Sequence, residues 1–343
     1  MDSRTPITIA DIAEATQVSV STVSRILNRR DGSIKISQTT QERVLEAARR
    51  LGYQPNPFAA ALRTQRTGVL GAIVRDIGDP FLSLLVRALQ HAAHREGFEL
   101  LLGHAAYDRE AAERQLTFML NSWFDGLFLL GNWPGDSALL RTLEQQPRPY
   151  VTVACGTGVS APSVSVDEML GTHECLDYLY ALGHRRIAFL GNVEHAGVQD
   201  RLTCFRRFVA EHKLEWQDDY EQLCSSKRSE ATARVTTLLR LNSPPTALFC
   251  ASDLLALGAI SGVWQMGRRV PEDLSIFGFD DIEEAADVFP PLSTVRQPVE
   301  EMARQATQVL RSLIDDSRPG GSARHILVQP ELVIRGSCSA PPL

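Results

Sequence analysis

The 343-residue sequence has no apolar run approaching the ~20 residues needed to cross a bilayer, so no membrane partner is expected. Cysteine is sparse. The six thiols (155, 175, 204, 224, 250 and 338) are scattered and include no C-x-x-C pair, which argues for reduced thiols over a disulfide framework or a zinc site. No G-x-x-x-x-G-K-[S/T] or G-x-G-x-x-G is present to cradle a phosphate. H-E-x-x-H, D-x-D-x-D-G and G-x-S-x-G are missing too, leaving no zinc hydrolase, calcium loop or nucleophile elbow to argue for. No catalytic residue, metal or cofactor is therefore expected. The first residues, MDSRTPITIADIAE, lack a hydrophobic signal core, so a cytoplasmic location is expected.

What is present is unevenly charged. Residues 1–66 hold ten Arg/Lys against six Asp/Glu, a net +4. The remainder holds 25 basic and 35 acidic groups, a net −10. A cationic head on an acidic body suits a protein whose head meets a polyanion.

The head reads as short capped helices. Thr8 stands as an N-cap with Asp11 in the capping-box position, and Ile9, Ile12 and Ala13 share one face. Thr16-Gln17-Val18 interrupts the pattern, and Ser19 caps a second helix whose inward residues are Val23, Ile26 and Leu27. Val20, Ser21, Thr22 and Arg25 then lie on or beside the outward face, side chains suited to base edges in a major groove. A third helix runs from the Ser37 cap to Leu51 with Val44, Leu45, Ala48 and Leu51 apolar, and Gly52 ends it. Asn56-Pro57 starts a helix of barely two turns, too short to stand alone in water.

The pattern I-x-D-I-A, V-S-x-x-T-V-S-R-I-L-N, S-x-x-T, L-G-Y-x-P-N and A-x-x-L across residues 9–62 resembles the DNA-binding head of the lactose-repressor (LacI/GalR) family of bacterial transcription regulators. The resemblance implies a helix-turn-helix head (1–55), a hinge helix and linker (56–66) and an effector-binding, dimerising body (67–343). It implies a homodimer on a pseudo-palindromic double-stranded operator, with DNA contacts at Thr8, Ser19, Val20, Ser21, Thr22, Arg25, Asn28, Arg29, Tyr53, Asn56, Ala59 and Leu62. Leu62 stands where the family wedges a leucine into the minor groove. The sequence departs from the family at Thr16-Gln17, where a small Ala-Gly pair is usual, in a longer loop Arg29–Ile36, and at Ala60 in the hinge.

From Thr67 onward short apolar runs alternate with amphipathic stretches, the signature of parallel sheets covered by helices. Two lobes are expected: about 67–166 with 298–324, and about 167–297 with 325–340. Asp79-Pro80-Phe81, Leu182-Gly183-His184-Arg185-Arg186, Pro271-Glu272-Asp273 and Gly278-Phe279-Asp280-Asp281 extend the resemblance to a body of periplasmic-binding-protein type. It implies a small, sugar-like effector between the lobes, contacted by Phe81, Arg201, Ser252 and Asp280. His184 is expected in a loop, capping a helix C-terminus. Against a family-typical sugar site stand Ser252 in place of Asn, Ala154-Cys155 in place of Asp-Arg, and Ser226 where an aromatic often stacks. An effector-switched repressor and a constitutive or protein-regulated DNA binder with a vestigial cleft both fit these residues. A solute-binding protein would need a cleavable leader, and a doubly wound enzyme a nucleotide loop.

Overall fold

The computed structural model describes residues 7–27, 36–53, 66–106, 108–121, 124–131, 137–146, 148–156, 161–316 and 325–342. The chain divides into two compact units, Met1–Thr67 and Gly68–Leu343.

In the first unit, α1 (Ile9–Thr16), α2 (Val20–Leu27) and α3 (Gln38–Leu51) pack around Ile12, Val23 and Val44, none of which reaches solvent. Burying each such side chain contributes roughly 1.5–3 kcal/mol, which is why three helices of 8 to 14 residues hold together. Thr8 and Asp11 form the expected reciprocal capping box, and Ser37 caps α3 through the Thr40 amide. Gln17 takes the left-handed backbone (φ 52°) that a turn glycine would otherwise supply. One residue departs from expectation: Leu45 is exposed, and Ala47 faces the core instead, because α3 presents 44, 47 and 48 inward.

The second unit has two lobes. Lobe 1 is a six-stranded parallel sheet in the order β11-β5-β4-β3-β1-β2, made of β1 (Val69–Val74), β2 (Glu99–His104), β3 (Gly126–Leu130), β4 (Tyr150–Val153), β5 (Ser163–Val166) and β11 (His325–Val328). Helices α4 (Pro80–Arg95) and α12 (Val299–Asp316) pack together against this sheet, with α5 (Arg109–Asn121) also packed on it. A further helix, α6 (Ser137–Glu144), lies between β3 and β4 in sequence. Lobe 2 is a parallel sheet in the order β7-β6-β8-β9, made of β6 (Ile187–Gly191), β7 (Glu221–Leu223), β8 (Ala247–Cys250) and β9 (Ser275–Phe277). It carries α7 (Glu168–Ala181), α8 (Ala196–Glu211), α9 (Arg228–Leu238), α10 (Asp253–Gln265) and the short α11 (Glu283–Asp287). Strands β10 (Thr294–Arg296) and β12 (Glu331–Val333) form an antiparallel ribbon.

The expected lobe boundary needs one correction. Residues 325–328 belong to lobe 1, where β11 pairs in parallel with β5, and not to lobe 2. The chain therefore crosses between lobes three times: after Val166, near Gln297 and between Val328 and Glu331. His184 is corrected too. It is fully buried, its ring bonded to Thr246, Ser275 and the Ser339 carbonyl, so it anchors the C-terminal segment instead of capping a helix. Burial depresses its pKa below the usual histidine range.

Candidate functional site

Two regions gather the expected functional residues. On the head, Val23 and Ile26 point into the core, which turns Val20 (52% exposed) and Ser21 outward, with Thr22 and Arg25 half-buried beside them. The Ser19 hydroxyl accepts from the Thr22 amide and lies 3.0 and 2.8 Å from the Ser21 and Thr22 hydroxyls. The start of α2 is thus a cluster of short hydroxyls at a helix N-terminus, with one guanidinium a turn further on, a composition suited to phosphates and base edges. Tyr53 packs half-buried against the head core. Asn28, Arg29, Asn56, Ala59 and Leu62 lie outside the described residues.

The second region is the cleft between the lobes. Its walls are the carboxyl ends of strands and the first turns of the helices that follow them, the usual place for a ligand in parallel α/β sheets. Lobe 1 contributes Arg75 just past β1, Gly131 past β3, Ala154 past β4, and Asp79 and Phe81 at the start of α4. Lobe 2 contributes Asn192 past β6, His195 at the cap of α8 and Arg201 within it, Ser252 at the start of α10, and Asp280 past β9. The cavity between these walls measures ≈ 60 Å³, room for a few waters.

All four expected effector residues line it, but most of their polar atoms are already engaged. Arg201 is buried; its Nε donates to Glu168 Oε2 at 2.6 Å and its Nη1 to the Ala251 carbonyl, while Asp280 Oδ1 lies 3.9 Å away. One face of the guanidinium lies on the Phe279 ring, 3.5 Å from its centroid. Ser252 accepts the Leu255 amide as the cap of α10. Asp280 accepts from Gln297 Nε2 at 2.7 Å and sits at φ 123°, a strained backbone held by its bridge to Arg296. Phe81 is largely buried and packs into the lobe 1 core.

The electrostatics follow from burial. Desolvation pushes the Asp280 carboxyl well above the usual range against the pull of Arg201, and raises Asp79 against the charge of Arg75, whose Nη2 lies 3.1 Å from Asp79 Oδ2. Asp253, fully buried behind the cleft, is pushed to about 7 by desolvation despite accepting from the Thr294 hydroxyl and the Ile282 amide. Burial, with Arg75 and Arg201 adding to it, lowers His195 to about 3 and keeps that ring neutral. Burial raises Glu168, and the charge and hydrogen bond of Arg201 draw it back.

Six polar lining residues were not anticipated: Arg75, Asp79, Glu168, Asn192, His195 and Gln297. Two of them sit directly past a sheet strand, Arg75 after Val74 and Asn192 after Gly191, and a polar residue there is the signal that could have found them. Glu168 carries no such signal: it follows the Asp167 cap at the start of α7. The positions that looked depleted are confirmed as small walls at Ala154 and Ser226, while Cys155 turns away to Thr152 and Ser165. The added side chains restore the polar lining that those substitutions remove.

A helix-turn-helix unit joined in sequence to a two-lobed parallel α/β body with a polar cleft defines the class of ligand-responsive bacterial regulators. Residues 8–56 match the model of bacterial regulatory proteins, lacI family, and residues 176–338 that of a periplasmic binding protein-like domain. The chain is 34% identical to the HTH-type transcriptional repressor CytR of Escherichia coli strain K12, over 98% of both chains. It is 30% identical to the ribose operon repressor of Haemophilus influenzae, over 96% of this chain and 98% of that one. The fold also matches the crystal structure of the lac repressor dimer bound to operator and the anti-inducer ONPF, with a TM-score of 0.87 at 24% identity, covering 98% of this chain and 100% of that one. The chain belongs to the lacI family and is a DNA-binding transcriptional regulator. Among the described residues no helix is long and apolar enough to cross a membrane.

Proposed function

We propose that the chain is a cytoplasmic repressor that binds a pseudo-palindromic operator as a homodimer and changes its operator affinity when a small molecule enters the inter-lobe cleft. The observation that carries this is the outward face of α2, where Val20 and Ser21 are exposed and Thr22 and Arg25 lie half-buried beside them, outside a core that holds the helix in place. Dimerisation is supported by lobe 1. Strand β2 is the edge of its sheet, and Leu101 and Leu102 on it are exposed, as is Phe118 on α5. An apolar open edge of this kind invites a second copy. Two heads related by a two-fold axis read an inverted repeat.

The cleft supports the switch. A cavity of ≈ 60 Å³ does not hold a sugar-sized ligand until the lobes shift, so occupancy and lobe angle are coupled, a hinge-type two-state element. The test is selection of duplex DNA from a random pool by the full-length chain. An enriched inverted repeat with two half-sites is the expected outcome; a pool that stays unenriched while the protein binds it in a salt-dependent way would reduce the head to a non-specific polyanion binder.

A further inference from the structure

We propose that Arg87 and Glu283 form an ion-pair latch across the mouth of the cleft, which makes the parting of the lobes sensitive to ionic strength. The proposal rests on the reading that the lobes move against each other, and it is independent of what the cleft binds.

The pair joins elements far apart in sequence. Arg87 stands two turns into α4 of lobe 1, and Glu283 opens α11 of lobe 2. The Arg87 Nη2 donates to Glu283 Oε1 at 2.7 Å. Between the two helices lies a vestibule of ≈ 330 Å³, with Ser83, Leu84 and Arg87 on one side and Glu283 and Glu284 on the other. Pro80 and Ile282 line both this vestibule and the inner cavity of ≈ 60 Å³. The vestibule thus adjoins the cavity at those two residues, and the pair spans it from lobe to lobe. Among the described residues, none that lines it belongs to a crossover, so the pair acts away from the pivot and bears on how far the lobes part about it.

Charge at the mouth differs from charge inside. At the mouth Arg87 is bonded to Glu283, and Glu284 lines the same vestibule, so lobe 1 attracts lobe 2 there. Inside, Asp79 of lobe 1 and Asp280 of lobe 2 are like-charged. Desolvation chiefly raises the Asp280 carboxyl, and the charge of Asp79 adds to it, so these two groups do not help to close the lobes. Salt reaches the two settings unequally. The side chains of Arg87 and Glu283 are 60% and 70% exposed, and mobile ions screen their attraction. Asp79 and Asp280, at 18% and 8%, are screened much less. Rising ionic strength therefore loosens the latch while the buried contacts of the cleft stay as they are, and the balance moves towards open lobes. An exposed pair changes such an equilibrium by at most about fivefold. That is enough to bias the lobe angle and too little to lock it.

The test is hydrogen–deuterium exchange on the full-length chain, read by mass spectrometry. Residues 81–85 and 278–282 report on the two sides of the cleft, and residues 126–130, inside lobe 1, serve as the reference. Wild type, Arg87→Glu, Glu283→Arg and the double variant with both charges exchanged are compared in dilute buffer and in about 0.5 M sodium chloride, where the screening length falls to about 4 Å. Expected in dilute buffer is exchange about three- to fivefold faster in both cleft segments for either single reversal, with 126–130 unchanged and the wild-type rate recovered in the double variant. In high salt the wild type should move towards the single reversals. Should a reversal fail to fold, Arg87→Gln and Glu283→Gln take its place, with a smaller gain in the same direction. Single variants that exchange like wild type, a double variant as fast as the singles, or wild-type exchange that ignores salt would each overturn the proposal. So would faster exchange in 126–130, because the pair would then be holding lobe 1 together and not setting the lobe angle. Selection of operator DNA by the wild-type chain tests the repressor reading separately, so each can fail alone.

Discussion

The head and the body solve opposite problems with the same residue types. On α2 the polar side chains proposed to meet DNA are exposed or half-buried, and the packing beneath them is done by others: Val23 and Ile26 bury while Ser21 stays in water. In the cleft the polar lining side chains are themselves buried, with Arg201 at 5%, Glu168 at 5% and Asp280 at 8% exposure. A surface reader can change its side chains at little cost to folding. A buried binder cannot, because each group there is also someone else's hydrogen-bond partner. The difference teaches where function and stability separate in this chain and where they are one thing.

The sharpest break of that comparison is Arg201→Ala. Removing the guanidinium leaves Glu168 buried without its partner, which costs about 3–5 kcal/mol. Denaturant unfolding of the body should show it as a lower midpoint at unchanged slope, and Arg201→Met with Glu168→Gln should recover most of the loss. A single variant as stable as wild type would mean that the pair is not holding the cleft.

Acidification makes a second, smaller break. The His195 pKa is about 3 in the fold against 6.5 in the unfolded chain, so between those values the unfolded chain binds the extra proton. Its neutral ring is accommodated fully above pH 6.5, and stability falls as pH drops through the window towards 3. From pH 7 to pH 5 the loss is about 2 kcal/mol. The measurement is the stability difference between wild type and His195→Gln at the two pH values, which cancels the opposing carboxylates. A difference that does not move with pH would place the ring in water.

In the head the expected effects are smaller. Ser37→Ala removes the hydroxyl that caps α3 through the Thr40 amide and should cost about 1 kcal/mol of head stability, read from circular dichroism melting. Loss of the whole head transition would show that its core is weaker than Ile12, Val23 and Val44 imply.

Much of this was legible in the sequence, for reasons that differ by region. Helix caps at Thr8, Ser19 and Ser37 are local chemistry, and alternating apolar runs mark most of the sheet strands from β1 to β11, so elements and lobes could be read along the chain. Strand β11 went to the wrong lobe because its partner, β5, lies some 160 residues earlier, and its alternating half-exposed pattern names no partner. His184 was misread for a related reason: what buries it is Ser275 and the returning segment at Ser339. Phe81, Arg201, Ser252 and Asp280 could be placed at the cleft through family resemblance, while Glu168 could not. Its place there depends on a missing atom, the Cβ of Gly197, in a helix that starts 28 residues away.

The claim that the head separates reading from folding is tested most directly by Arg25→Ala in the full-length chain. Fluorescence anisotropy on the selected operator and thermal melting are measured on the same preparation. The account predicts a tenfold or greater loss of operator affinity, about 1.4–3 kcal/mol, with head stability unchanged to within about 0.5 kcal/mol. Unchanged affinity, or a fall in head stability as large as the fall in affinity, would contradict it.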